Sequence, residues 1–203
     1  MIRRAGAVPR ELGIARDTKE SLREHFARAA GADLVVTTAG VSVGEHDLVR
    51  AVLVELGCDM KLWRVRMRPG APLGFGLLGA VPWIGLPGNP VSTMVTFELF
   101  VRPVIRRLLG HARLFRRTVP VVVEDRITLG PKLRHFLRAI VDARDDGTLG
   151  ARLTGPQGSG ILTSMARADA LLIVPEDRAD VAAGETLRAL VLDDPHHTAE
   201  PGF

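Results

Sequence analysis

Residues 1–113 predict an α/β domain of the doubly wound kind, residues 114–192 a small all-β barrel, and residues 193–203 a flexible tail. Three observations carry this reading. Strand and helix patterns alternate through the first part. The helical period disappears after Leu114, where short strand-like runs separated by turn residues take over. Hydrophobic residues make up 46% and charged residues 25% of the 203, the balance of a chain that buries a core and not of a disordered one.

Each element has a local reason. Asp17-Thr18-Lys19-Glu20 has the spacing of a capping box and opens an amphipathic helix to about Ala30, with Leu22, Phe26 and Ala29 on one side. Asp33 to Thr38 is a β-branched run that reads as a strand covered on both faces. After the loop Ala39-Gly40-Val41-Ser42-Val43-Gly44, a helix is expected from Glu45 to Leu56, stopped by Gly57. Met60 to Met67, Pro72 to Leu77 and Val81 to Gly85 read as strands. A helix from Ser92, which is placed to cap it, runs to Leu109, and Pro103 should kink or divide it. In the second part the strand-like runs are 118–124, 133–141, 149–153, 170–174 and 186–192, with Asp145-Asp146-Gly147 as a hairpin turn.

Composition bounds the function. The net charge is +4, and through Arg113 the chain carries 16 basic and 10 acidic residues against 11 and 13 beyond it. The positive balance therefore belongs to the first part, as a localised anion site would require. The whole chain's 24 arginines and 3 lysines are scattered, and aromatic residues are 4% with no Tyr, a poor supply of base-stacking surfaces, so no nucleic-acid partner is expected. No apolar run approaches the ~20 residues that span a bilayer, and no secretory signal is apparent, so no membrane association is expected. One cysteine, Cys58, builds neither a disulfide framework nor a Cys-rich metal site, and the expected compartment is the cytoplasm.

Four segments hold the candidate functional residues. Gly40 and Gly44 let backbone approach a ligand, Val41 and Ser42 lie between them, and the next helix offers unpaired N–H groups, together suiting a phosphate. A strand-to-helix connection without ligand fits the same residues. Asp47 in the first turn of that helix is favoured by the dipole alone, or faces the anion through a divalent cation; Asp17 has the same ambiguity with its capping role. His46 has no partners at metal-ligand spacing. In the strand 60–68, period-two alternation puts Trp63, Val65 and Met67 on one face and Arg64, Arg66 and Arg68 on the other, a face turned either to water or to a multiply charged anion. Pro87-Gly88-Asn89-Pro90 is a rigid turn able to present fixed backbone groups to a small ligand. In the second part Arg138 and Ser159 stand out only weakly, since lone polar residues of this kind usually decorate a surface.

Taken together, the segments Thr38 to Asp47, Arg66-Met67-Arg68-Pro69-Gly70 and Gly85 to Ser92, followed by Phe136-Leu137-Arg138 and Gln157-Gly158-Ser159-Gly160, resemble the molybdopterin molybdenumtransferase family (MoeA in bacteria, the gephyrin E domain in animals) in residue type and order, from about Leu12 to Leu192. The resemblance implies a molybdopterin-binding α/β domain lacking its first strand, then the family's C-terminal barrel. It implies molybdate insertion into adenylyl-molybdopterin with release of AMP, Mg²⁺ as divalent cation and molybdate as substrate. Asp47 would hold the metal, and Asp47, Arg64 and Arg68 would act on the reacting charges. Asp17, Gly40, Val41, Ser42, Gly44, Pro87, Gly88, Asn89, Pro90, Arg138 and Ser159 would bind substrate.

This sequence departs from the family in that its Gly-Gly loop opening is Ala39-Gly40, its lysines are Arg64 and Arg68, and its Pro-Gly-Lys-Pro is Pro69-Gly70-Ala71-Pro72. The family also has two further N-terminal domains and, before Asp17, a strand and an acidic segment. A homodimer, or a partner chain supplying those parts, is therefore expected. The alternative to a truncated or partner-dependent transferase is a non-catalytic module that binds molybdopterin nucleotide or scaffolds its assembly. A molybdopterin adenylyltransferase is disfavoured by the barrel and the Pro-Gly-Asn-Pro turn.

Overall fold

The structure is a computed structural model of the chain; it describes residues 1–41, 48–130, 132–193 and 196–203. Residues 1–65 with 70–111 form one compact unit, and 66–69 with 112–203 a second.

The first unit is a four-stranded mixed sheet in the order β1 (Val35–Thr38), β5 (Val81–Leu86), β4 (Pro72–Leu78), β2 (Asp59–Arg64). Only the β1–β5 pair is parallel. Period-two alternation sends neighbouring residues of β5 to opposite cores. Trp83 packs with Val35, Ala29 and Leu53, whereas Ile84 and Leu86 pack with Phe97, Val101 and Ile105. Helices α1 (Lys19–Arg28) and α2 (Leu48–Glu55) therefore supply one face, and α3 (Pro90–Thr96) with α4 (Arg102–Leu108) the other.

Thr18, not Asp17, caps α1: its side-chain oxygen accepts the Ser21 N–H at 3.2 Å. Lys19 and Arg23 on α1 reach Glu55 on α2 at 2.5 and 2.6 Å. These hydrogen bonds, Lys19 first, hold the Glu55 carboxyl below its ordinary range. Asn89 takes the cap position of α3, with Pro90 as first helical residue and Ser92 buried in the first turn. The expected division at Pro103 is a π-turn, Phe97–Val101, in which the Arg102 N–H reaches back to the Phe97 carbonyl. Pro103 has no N–H to return to residue 99, and the wider turn keeps its ring clear of that carbonyl.

Glycines shape the sheet around one indole. Trp83 is fully buried, stacks on Trp63 at 6.2 Å, and lies over the ladder partners Gly74 and Gly85. A Cβ on Gly74 would come 2.4 Å from the Trp83 ring, and one on Gly85 would come 2.5 Å from both Trp83 and Val41. The guanidinium of Arg50 sits 5.3 Å over the Trp63 ring, at the outer end of the stack.

The second unit closes into a five-stranded barrel. Strands β7 (Thr118–Val123), β13 (Thr186–Val191), β11 (Ala170–Val174), β9 (Arg134–Ala143) and β10 (Leu149–Leu153) pair in that order, and β10 pairs back to β7. Inward residues such as Val121, Val123, Leu137, Ala139, Leu172 and Val174 fill it. The two-residue strand β3 (Met67–Arg68) lies parallel to the start of β9, as Met67↔Arg134 and Arg68↔His135. The tail expected to be flexible carries His197–Thr198 paired with Phe115–Arg116, and the Phe203 ring meets Phe136 edge-on at 5.6 Å.

Gly85→Ala is expected to destabilise the α/β unit by about 1–3 kcal/mol, the overpacking range, because both atoms it would strike lie in the core. Urea denaturation of the variant against the wild type checks this.

Candidate functional site

The parallel register Thr38↔Leu86 ends β1 and β5 level with one another. Their following loops therefore leave the sheet side by side, at the carboxyl end where ligands of open α/β sheets bind. The Ala39 N–H donates to the Leu86 carbonyl at 2.9 Å, and a Cβ on Gly88 would lie 3.1 Å from the Cβ of Ala39. Thr93 pins the second loop: its hydroxyl lies 2.5 Å from the Pro87 carbonyl and 2.9 Å from that of Asn89. Pro87 is buried beneath it, while Gly88, Asn89 and Pro90 are exposed. The structure thus brings the glycine loop and the Pro-Gly-Asn-Pro turn together.

Two conformations fix the glycine loop. Gly40 has φ +70°, and a Cβ there would sit 2.3 Å from Val49. Ala39 also has positive φ, +66°, where an L side chain costs about 1–2 kcal/mol. This is the physical content of the Gly-Gly opening that the resembling family carries: the first position needs glycine freedom too, and here alanine bears the strain. Val41 is buried against Gly85, so the loop turns inward before its polar residues. Ser42, Gly44 and Asp47 lie outside the described residues. Asp17 is exposed ahead of the α1 cap.

Exposure along 63–68 alternates as expected: Arg64, Arg66 and Arg68 are exposed, Trp63 and Val65 half-buried and Met67 buried. Register shifts at 60/62 and 62/64 interrupt the earlier part of β2. Trp63 joins the core beside Trp83 and Val65 the opposite one. Arg64 is exposed on β2 of the first unit. Arg66 and Arg68 belong to the second unit, where Arg66 donates to the Lys132 carbonyl at 3.2 Å.

Arg68 instead lines a cavity of about 250 Å³ at the barrel, with Pro69, His135, Arg138, Gln157 and Gly158 among its walls. Its position follows from an edge of β9. Residues 134–135 pair there with β3 and residues 139–143 with β10, leaving 136–138 without a strand. The Gln157 side chain takes that strand's place, accepting the Arg138 N–H at 2.8 Å and donating to the Arg138 carbonyl at 3.1 Å.

Arg138 is 1% exposed. Leu137, Ala139 and Val141 point into the barrel, so alternation turns Arg138 outward, under the segment that runs through α5 (Leu162–Ala166). Its Nε donates to Ser164 Oγ at 3.1 Å and its Nη2 to the Gly158 carbonyl at 3.3 Å, both neutral partners. Burial pushes its pKa down from the usual arginine value, yet an arginine stays charged in proteins. Among the described residues no Asp or Glu lines the cavity. Two guanidinium groups therefore share a concave site without a counter-ion among its walls. Ser159, half-buried, follows the lining Gly158. Sequence reasoning missed His135 altogether; its only signal was adjacency to the Phe136-Leu137-Arg138 segment.

No group of three or more His, Cys, Asp or Glu able to hold a metal occurs among the described residues. None of their helices is long and apolar enough to cross a membrane.

The chain thus has a mixed α/β layer whose two loops leave the carboxyl ends of a parallel strand pair, and a closed barrel carrying a cavity lined by two arginines. The chain belongs to the family described as probable molybdopterin binding domain, whose model matches residues 1–107; residues 120–192 match the MoeA C-terminal region (domain IV). It is 32% identical to a molybdopterin molybdenumtransferase of Haemophilus influenzae over 87% of this chain and 44% of that protein. It is 38% identical to molybdopterin molybdenumtransferase 2 of Mycobacterium tuberculosis over 79% and 40%. The chain thus spans less than half the length of these relatives. Among solved structures, it resembles a molybdopterin biosynthesis MoeA protein from Pyrococcus horikoshii, with TM-score 0.69, 28% identity, and 89% of this chain and 42% of that one covered. It also shares the fold of a molybdenum cofactor biosynthesis protein from Pyrococcus furiosus, with TM-score 0.72, 24% identity, and 94% and 61% covered.

Ala39→Gly is expected to raise stability by roughly 0.5–1 kcal/mol, the left-handed penalty less the entropy glycine adds to the unfolded chain. Chemical denaturation reads the difference directly.

Proposed function

We propose that this chain acts in molybdenum cofactor biosynthesis as part of a molybdopterin molybdenumtransferase. In this reading the paired loops after β1 and β5 hold the adenylyl-molybdopterin, and the barrel cavity receives molybdate. The observation that carries it is Arg138: a buried guanidinium with neutral partners only, lining a cavity with Arg68 and no carboxylate. Burying a charge without a counter-ion costs several kcal/mol, and a doubly charged tetrahedral oxyanion offsets that cost when it binds. Arginine N–H groups diverge in a planar fork that matches the edge of such an ion.

The chemistry divides accordingly. Backbone groups of residues 39–41 and 87–90, with Ser42 and Gly44, would position the nucleotide. Arg68 and Arg138 would orient the molybdate oxygens and offset their charge, with Ser159 beside them. Arg64 and Asp17 would serve the substrate from the α/β unit. Asp47 would contribute a carboxylate to Mg²⁺, which when bound neutralises phosphate charge. The described residues add no carboxylate cluster to it, so no step is assigned to the cation. A homodimer or a partner chain would supply the rest of the enzyme, in the cytoplasm.

Titration calorimetry with molybdate in dilute chloride tests this. Arg138→Met should weaken binding at least tenfold without a matching loss of melting temperature, because removing a buried charge in favour of an apolar side chain is often neutral or stabilising. Arg68→Gln, at the exposed wall, should weaken it by less. Undiminished affinity in Arg138→Met would refute the assignment. Complementation of a strain lacking molybdate insertion separates catalysis from the scaffold reading, which predicts binding with no rescue.

A further inference from the structure

We infer that Ser164 is a positioning residue for Arg138: it ties down one side of the guanidinium, so that the opposite end, at Nη1, is the one presented to a ligand in the cavity. The inference rests on the reading of that cavity as an oxyanion site.

Ser164 is 3% exposed and lies within α5. Its hydroxyl donates to the Ile161 carbonyl at 2.7 Å, three residues back. A hydroxyl has one proton to give, and that carbonyl takes it, so Ser164 meets Arg138 only as an acceptor. The Arg138 Nε–H donates to its oxygen at 3.1 Å, and Nη2 donates to the Gly158 carbonyl at 3.3 Å.

These two bonds decide which part of the fork is left for a ligand. Nε–H and Nη2 share the lateral edge of the planar guanidinium, and Nη1 lies beyond it. Nη1 donates to none of the described residues, yet it is not among their polar side-chain atoms shut away from solvent without a partner. The small exposure that Arg138 retains therefore includes that end.

One short segment does this work, and the gap in β9 at 136–138 admits it. Gln157 brackets the Arg138 backbone, while Gly158 and Ser164 hold its guanidinium. Both guanidinium acceptors are neutral. A carboxylate at position 164 would take the same lateral edge as a bidentate pair and cancel the charge. A hydroxyl orients the cation and leaves its charge for an anion at the far end. Because the fork is held before the ligand arrives, binding does not have to order a side chain rich in rotamers.

The test is calorimetry with molybdate and with sulfate on the wild type, Ser164→Ala and Ser164→Thr. It is joined to heteronuclear NMR spectra of the arginine side chains, in which the Arg138 signal is the one missing from Arg138→Met. Ser164→Ala should bind either dianion about tenfold more weakly, the scale of one hydrogen bond to a charged group. Ser164→Thr, which keeps the hydroxyl, should retain most of the affinity. In the wild type the Arg138 Nε–H should exchange slowly with water and hold its shift as the anion is added, while the Nη signals move. Unchanged or tighter binding by Ser164→Ala, even with a lowered melting temperature, would make the serine merely structural and overturn the inference. An Nε–H that moves most on binding would put the oxyanion on the lateral edge and overturn it too. Either result leaves the oxyanion site standing, whereas no binding by the wild type sinks the site and the role of Ser164 together. Since the Nε–H is read on the wild type, the answer does not depend on the variants folding.

Discussion

An ionised guanidinium held out of water without a carboxylate partner is expensive, and the architecture around Arg138 is organised to reduce that expense. Gln157 brackets both backbone groups of the residue, Ser164 and the Gly158 carbonyl each take a guanidinium hydrogen, and Thr154 donates to the Arg138 carbonyl at 3.0 Å. These contacts fix the side chain but do not neutralise it. Two of its five N–H groups are used this way. A residue kept at such cost, rigid and with donors to spare, would be preorganised for the oxyanion proposed to bind there.

The α/β unit answers to a different constraint. One parallel pair, β1 with β5, decides where two loops emerge, and every tight packing position near that pair serves the approach. Gly40 yields to Val49, Gly85 yields to Val41 and Trp83, and Gly88 yields to Ala39. Thr93 then ties the second loop to its own helix. The loops are positioned by backbone, so their specificity resides in glycine and proline placement more than in side-chain chemistry. This explains why the segment is recognisable in the sequence from residue types that are individually unremarkable.

What could be read in advance followed physical period and punctuation. β-branched runs, proline stops and the loss of helical period located β1, β4, β5 and the five barrel strands, and the break at Pro103. Contact between the two candidate loops was implied only by their both following strands; adjacency needed the β1–β5 register. Alternation along residues 63–68 was legible from residue type alone, whereas the bulges earlier in β2 leave no composition signal. The cap fell to Thr18 because both neighbours can cap and the choice is settled by the Ser21 N–H, a matter of backbone path. Arg138 looked like surface decoration because its cover, the 154–161 segment and the five-residue α5, is too short and irregular to show an amphipathic face. His135 was invisible for the same reason: nothing in one sequence says that a strand edge will be left open for a cavity.

The two arginines of the cavity differ in a way that bears on how an oxyanion would be taken in. Arg68 is exposed and Arg138 is 1% exposed. An exposed guanidinium is screened within about 8 Å at physiological salt and holds an ion weakly. It nonetheless reaches into solvent, where encounter occurs. The buried one is poorly screened and already desolvated, so its attraction is stronger and its reorganisation smaller. An anion passing from the first to the second breaks no existing ion pair among the cavity walls, because none of them is acidic. Had a glutamate neutralised Arg138, the resting protein would be better off by a counter-ion, and every incoming oxyanion would have to compete with it.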